Sequence, residues 1–222
     1  MSDRINHLIN PKIKVLEDDF LNFDYDTLDK TPINEKELLF AYVSNTYELY
    51  EYLRYFQYFL HPSSNEIRAI LGHLSQYRMS NYNIDKNDLR KAYGHFRRLN
   101  LDLLKILCDI FNKNLYKILT QQYKYDLRNV KDDYLVNFGK KYITARRLYL
   151  KAQREESSGS DRNKHNIIKL YFEAAKEFVL LKQYYFEYKK DIKKAKFKKG
   201  IKIAINIFLI LVSIVLSIVG TL

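Results

Sequence analysis

The chain has 222 residues, 47% hydrophobic and 29% charged, with a formal net charge of +12 and a mean hydropathy of −0.40. This composition excludes a polytopic membrane protein, and three prolines and six glycines leave little material for a turn-rich β-fold. One cysteine, Cys108, excludes an internal disulfide and a cysteine-cluster zinc site, and no other metal-ligand spacing or cofactor motif is evident.

The elements expected from the pattern are all helices. Asn10-Pro11 reads as a helix start, with a short helix to Leu21. The acidic stretch from Asn22 to Pro32 reads as a turn. A long aromatic-rich helix is expected from about Asn34 to Leu60, ended by His61-Pro62, with Leu39, Tyr42, Val43, Tyr50, Leu53 and Phe56 as its buried stripe. Ser63-Ser64-Asn65 can cap the next helix, to about Arg78. Asp85 or Asn87 opens another, carrying Leu89, Ala92, Tyr93, Phe96, Leu99, Leu103, Ile106, Leu107, Ile110 and Phe111 as core, with Cys108 as a buried thiol. A further helix spans about Val130 to Arg154. The polar loop from Glu155 to Asn163 separates it from a helix with Ile167, Leu170, Tyr171, Ala174, Phe178 and Leu181 inward. The expected fold class is all-α, an antiparallel helical bundle over residues 1–181.

Residues 182–202 hold nine lysines against Glu187 and Asp191, and the 20 residues from Ile203 to Leu222 carry no charge. Twenty apolar residues suit a bilayer core of about 30 Å. The sequence therefore predicts a basic juxtamembrane helix over 182–202 and a single C-terminal transmembrane helix over 203–222. Lysine beside a span marks the cytoplasmic side, and the N-terminus has no secretory signal, so the body is expected in the cytoplasm. Lys189, Lys190, Lys193, Lys194, Lys196, Lys198 and Lys199 would form a collar against lipid headgroups, with Gly200 as a hinge. At 100° per residue Lys202, Asn206, Ser213, Ser217 and Gly220 fall on one stripe of the tail. Such a stripe suits self-association into a homo-oligomer or a pore lining.

Chemistry has one candidate. Ile67-Arg68-Ala69-Ile70-Leu71-Gly72-His73-Leu74 aligns with Leu89-Arg90-Lys91-Ala92-Tyr93-Gly94-His95-Phe96, so Arg-x4-His occurs twice, 22 residues apart. Arg and His, five apart, lie about 140° apart around a helix. The glycines would let a neighbouring backbone approach closely. Histidine titrates near neutrality, and guanidinium matches phosphate oxygens.

In these residues the stretch Glu35 to Leu119 resembles the HEPN superfamily, all-α bundles whose ribonuclease members carry Arg-x(4–6)-His. The resemblance implies metal-independent RNA cleavage by Arg90, His95, Arg68 and His73, with two protomers joining their motifs. There the His would move a proton and the Arg would stabilise the phosphorane charge. The Asn, Asp or His that usually follows the Arg is replaced here by Ala69 and Lys91. With its apolar tail the chain also resembles the membrane accessory proteins encoded beside type VI-B CRISPR RNases, which form pores as oligomers.

Three readings follow. The first is a membrane-anchored, oligomerising effector or accessory protein in antiviral defence, acting on a bilayer and partnered by RNA or an RNA-guided complex. The second is a membrane-tethered, metal-independent ribonuclease. The third is a tail-anchored scaffold with no catalysis.

Overall fold

A computed structural model describes residues 18, 20, 21, 34–54, 61–79, 86–123, 130, 133–158 and 164–219. Among these residues the structure is helical and contains no strand. The helices are α1 (Glu35–Ala41), α2 (Glu48–Arg54), α3 (His61–Met79), α4 (Lys86–Tyr123), α5 (Tyr134–Ser157), α6 (Lys164–Glu187) and α7 (Lys189–Val219). A π-helical segment, Tyr42–Tyr47, joins α1 to α2. The all-α expectation holds.

Asn34 starts α1 by capping. Its side-chain oxygen accepts from the Glu37 N–H at 3.0 Å, and its amide donates back to Glu37 Oε1 at 3.2 Å. The expected stripe of this helix is met at Leu53 and missed at Leu39, with Tyr42 and Tyr50 half-buried and the Val43 side chain and Phe56 outside the described residues. Leu38, Thr46, Leu49 and Leu53 are buried, while Leu39 is exposed. The π-helical segment holds more residues per turn and re-phases the helix, which a constant 100° step misses. Thr46 is buried with a partner: its hydroxyl donates to Asn100 Oδ1 at 2.8 Å, and Asn100 Nδ2 donates to the Phe96 carbonyl at 3.0 Å. On α3 Ile70, Leu74 and Tyr77 are inward and Leu71 is exposed. α3 begins at His61, ahead of the expected Ser63-Ser64-Asn65 cap. The expected core of α4 is buried from Leu89 to Phe111, Cys108 included, except that Ile106 is half-buried. Asp133 precedes α5 at φ 52°, and its carbonyl accepts from Asn137 at 3.0 Å.

The chain divides into two compact units. One holds Met1–Asn112 with Thr144–Val179, the other Lys113–Ile143 with Leu180–Leu222. In the first, Tyr149 packs edge-on against Tyr171 and Phe178, and Phe111 stacks on Phe178. In the second, Tyr134 lies against Phe138, Tyr184 and Tyr188.

The C-terminal expectation is corrected. No helix among the described residues is long and apolar enough to cross a membrane. This overturns the single span over 203–222 and the localisation drawn from it. α7 starts in lysines, and its described side chains end at Ser213. Ile203 to Ser213 covers about 16 Å at 1.5 Å per residue, roughly half of a bilayer core of about 30 Å. Gly200 is no hinge, since α7 continues through it. Lys202, Asn206 and Ser213 are exposed, and Ser213 donates back to the Leu209 carbonyl at 2.9 Å. The Ser217 side chain and Gly220 lie outside the described residues. In the expected collar Lys190, Lys193, Lys194 and Lys198 are exposed, and Lys194 lies 3.8 Å from Asp191. Lys189 and Lys196 are partly buried, which lowers both ammonium groups from their usual range.

Candidate histidine–carboxylate site

The two Arg-x4-His segments lie on α3 and α4 and come together. His73 and His95 stack, with ring centroids 5.3 Å apart and planes 25° apart. His95 Nδ1 donates to Glu66 Oε2 at 2.6 Å, and His73 Nδ1 donates to Asp88 Oδ1 at 3.2 Å. Each histidine is thus held by a carboxylate of the other helix. Glu66 lies across from His95 and His73 across from Asp88, so the helices run antiparallel along this contact.

The repeat explains the pairing. Glu66 precedes His73 by seven residues, and Asp88 precedes His95 by seven. Seven residues are about two turns, so acid and imidazole share one helix face. The repeat is therefore acid-x-Arg-x3-Gly-His, and a local two-fold axis exchanges its copies. Helical side chains lean toward the N-terminus of their own helix. On antiparallel helices that lean carries both imidazoles toward the axis, where they stack. Glu66 and Asp88 were absent from the sequence-derived site. Extending the alignment two residues upstream of the arginines would have found them.

The arginines are arranged otherwise. Arg68 and Arg90 are exposed, about 140° around their helices from the imidazoles, so the structure does not bring them to the histidine pair. Arg98 takes that place. Its guanidinium lies 3.0 Å from His95 Nδ1 and 3.6 Å from Glu66 Oε2. Lys91 stands 3.7 Å from Asp88. The histidine side chains keep 23% and 21% of their accessibility, so solvent reaches both rings.

The glycines do not admit a neighbouring backbone. A Cβ built on Gly72 or Gly94 meets nothing within 4 Å. The close-approach reading of these positions is corrected: both face open space.

A second polar network continues along α4. Tyr149 donates to Asp109, and Gln153 Nε2 donates to the Tyr149 hydroxyl at 2.8 Å. Tyr171 donates to Glu156 Oε2 at 2.8 Å, and Lys105 pairs with Glu156. Asp102 is raised from the usual carboxylate range, first by burial, with Glu66 and Glu156 adding to the rise. Among the described residues no group of three or more His, Cys, Asp or Glu side chains could hold a metal ion.

The fold and site define a helical protein with a paired, carboxylate-anchored histidine centre. Comparison with family models, curated proteins and solved structures gives no match to this chain.

Proposed function

We propose that the histidine pair cleaves RNA phosphodiester bonds without a metal. The observation that carries this is the crossed anchoring of two stacked imidazoles. Each Nδ1 is engaged by a carboxylate, which fixes the tautomer and assigns proton transfer to Nε2, that of His95 lying 3.4 Å from the Arg98 guanidinium. One neutral imidazole takes the proton of a ribose 2′-hydroxyl. The oxygen attacks the adjacent phosphorus, and the bond to the 5′-oxygen breaks. The other imidazole, protonated, gives its proton to that leaving oxygen. The products are a 2′,3′-cyclic phosphate and a 5′-hydroxyl, so atoms and protons balance. Arg98 supplies a guanidinium for the phosphorane charge. Both motifs come from one chain, so this site does not depend on a second protomer.

The test is cleavage of a labelled RNA in EDTA by the wild type, His73→Ala and His95→Ala. Loss of about 10²-fold or more is expected in each variant, with cyclic-phosphate ends on the wild-type products. Cleavage at the wild-type rate by either variant, or none by the wild type, removes the reading.

The outward position of Arg68 and Arg90 favours a second reading, a non-catalytic helical scaffold. In it the His–carboxylate bonds only clamp α3 to α4, and His73→Ala and His95→Ala lower stability with no RNA cleavage to lose. The effector reading drew its support from a membrane span that the described residues lack, and is taken no further.

A further inference from the structure

α5 turns Ala145, Tyr149 and Ala152 into the core. Arg147, Lys151 and Arg154 lie on the opposite side, about 180° to 240° from Ala145 at 100° per residue, and all are exposed. Arg146 is exposed beside them. The spacing is i, i+4, i+7, so three cations stack on successive turns. Like charges at that spacing oppose helix formation.

Among the described residues none of these four cations is ion-paired, and the nearest acid along that face, Glu155, stands four residues beyond Lys151. Glu156, two residues beyond Arg154, is turned to Lys105 and Tyr171. α6 differs: Lys169, Glu173, Lys176 and Glu177 alternate in sign along it. From Arg147 to Arg154 the file on α5 holds three cations with no acid among them, an arrangement suited to an anion from outside.

We propose that this face of α5 binds the phosphates of a single-stranded nucleic acid. Arg147 to Arg154 rises about 10 Å along the helix, and arginine matches phosphate oxygens bidentately. A file of cations one helix wide follows one line of phosphates, which favours a strand over a planar lipid surface. Binding is measured without turnover, so its failure leaves cleavage at the histidine pair untouched, and the reverse holds.

The experiment is fluorescence anisotropy of a 5′-labelled oligodeoxythymidine, which has no 2′-hydroxyl and so cannot be cleaved at the histidine pair, with the full chain, titrated with salt. The comparison is the fourfold variant Arg146→Gln, Arg147→Gln, Lys151→Gln, Arg154→Gln. Glutamine is a good helix former, so the fold is retained, which circular dichroism checks. The variant is expected to bind at least about tenfold more weakly at low salt. The slope of log affinity against log salt should flatten by about 2 to 3, since each phosphate contact contributes about 0.7 for a single strand. A variant with lysine at the three arginine positions should keep most of the wild-type slope. Equal affinity and slope in the wild type and the glutamine variant would overturn the proposal. So would a wild-type chain that sediments with phosphatidylserine vesicles but leaves the oligonucleotide free.

Discussion

Cys108 illustrates how far single residues can be read. It is fully buried in α4, its thiol donates to the Tyr171 carbonyl at 3.4 Å, and burial pushes it well above the usual thiol range. The thiolate is the nucleophile, so a raised thiol is inert. Iodoacetamide should leave the folded chain unlabelled at pH 8 and label it fully in denaturant, as mass spectrometry would record. Thr46 and Asn100 carry the opposite risk. Both are buried, and each satisfies the other. Thr46→Val keeps the shape but leaves Asn100 Oδ1 without its donor. The expected loss is about 1–3 kcal/mol in urea unfolding.

At the scale of elements, α3 and α4 show a repeat whose meaning lies in pairing. Its glycines looked like contact points, yet both face open space. Glycine in a helix interior costs about 0.5–1 kcal/mol relative to alanine. Gly72→Ala and Gly94→Ala should each raise stability by about that amount, measured by thermal melting, and the two gains should add. The predicted elements mostly fall where the pattern put them. α4 was read well because its apolar period is long and regular. The α1 end of the first stripe was read one residue off, since Leu38 is buried where Leu39 was expected, while Leu53 on α2 is buried as expected. The cause is the π-helical segment, whose wider turn leaves no mark in hydrophobicity. Within the candidate site both histidines were legible as a repeat. Their carboxylates were not singled out, because an acid at i−7 gains meaning only when a second helix lies opposite.

At the scale of the whole molecule, buried phenols tie the fold to pH. Tyr149 and Tyr171 are raised well above 10.0, first by burial and then by the bonds they donate to Asp109 and Glu156. Burial also raises Tyr42 and Tyr185 from 10.0. The unfolded chain releases these protons near pH 10, while the folded chain keeps them. Above that pH the unfolded state binds fewer protons, so stability falls as pH rises. Below pH 10 the contribution is fully present. Thermal melting between pH 8 and 11 should show a decline beginning near pH 10. It should be shallower in Tyr149→Phe, even though that variant starts less stable.

The sequence alone determined that the chain is helical, where most helices lie, that Asn34 could open one, and that Cys108 is buried. These follow from local propensity and from the period of apolar residues, both written along one strand of text. Tertiary structure decided that His73 meets Asp88 and His95 meets Glu66, that Arg98 rather than Arg68 or Arg90 stands beside the imidazoles, and that a side chain added at either glycine would enter open space. It also withdrew the C-terminal span, since the described part of α7 lacks the length of apolar helix that a bilayer requires. The reason is common to the histidine pair and the glycines. Periodicity fixes which face of a helix turns inward, but the register and direction of two packed helices fix which side chains meet.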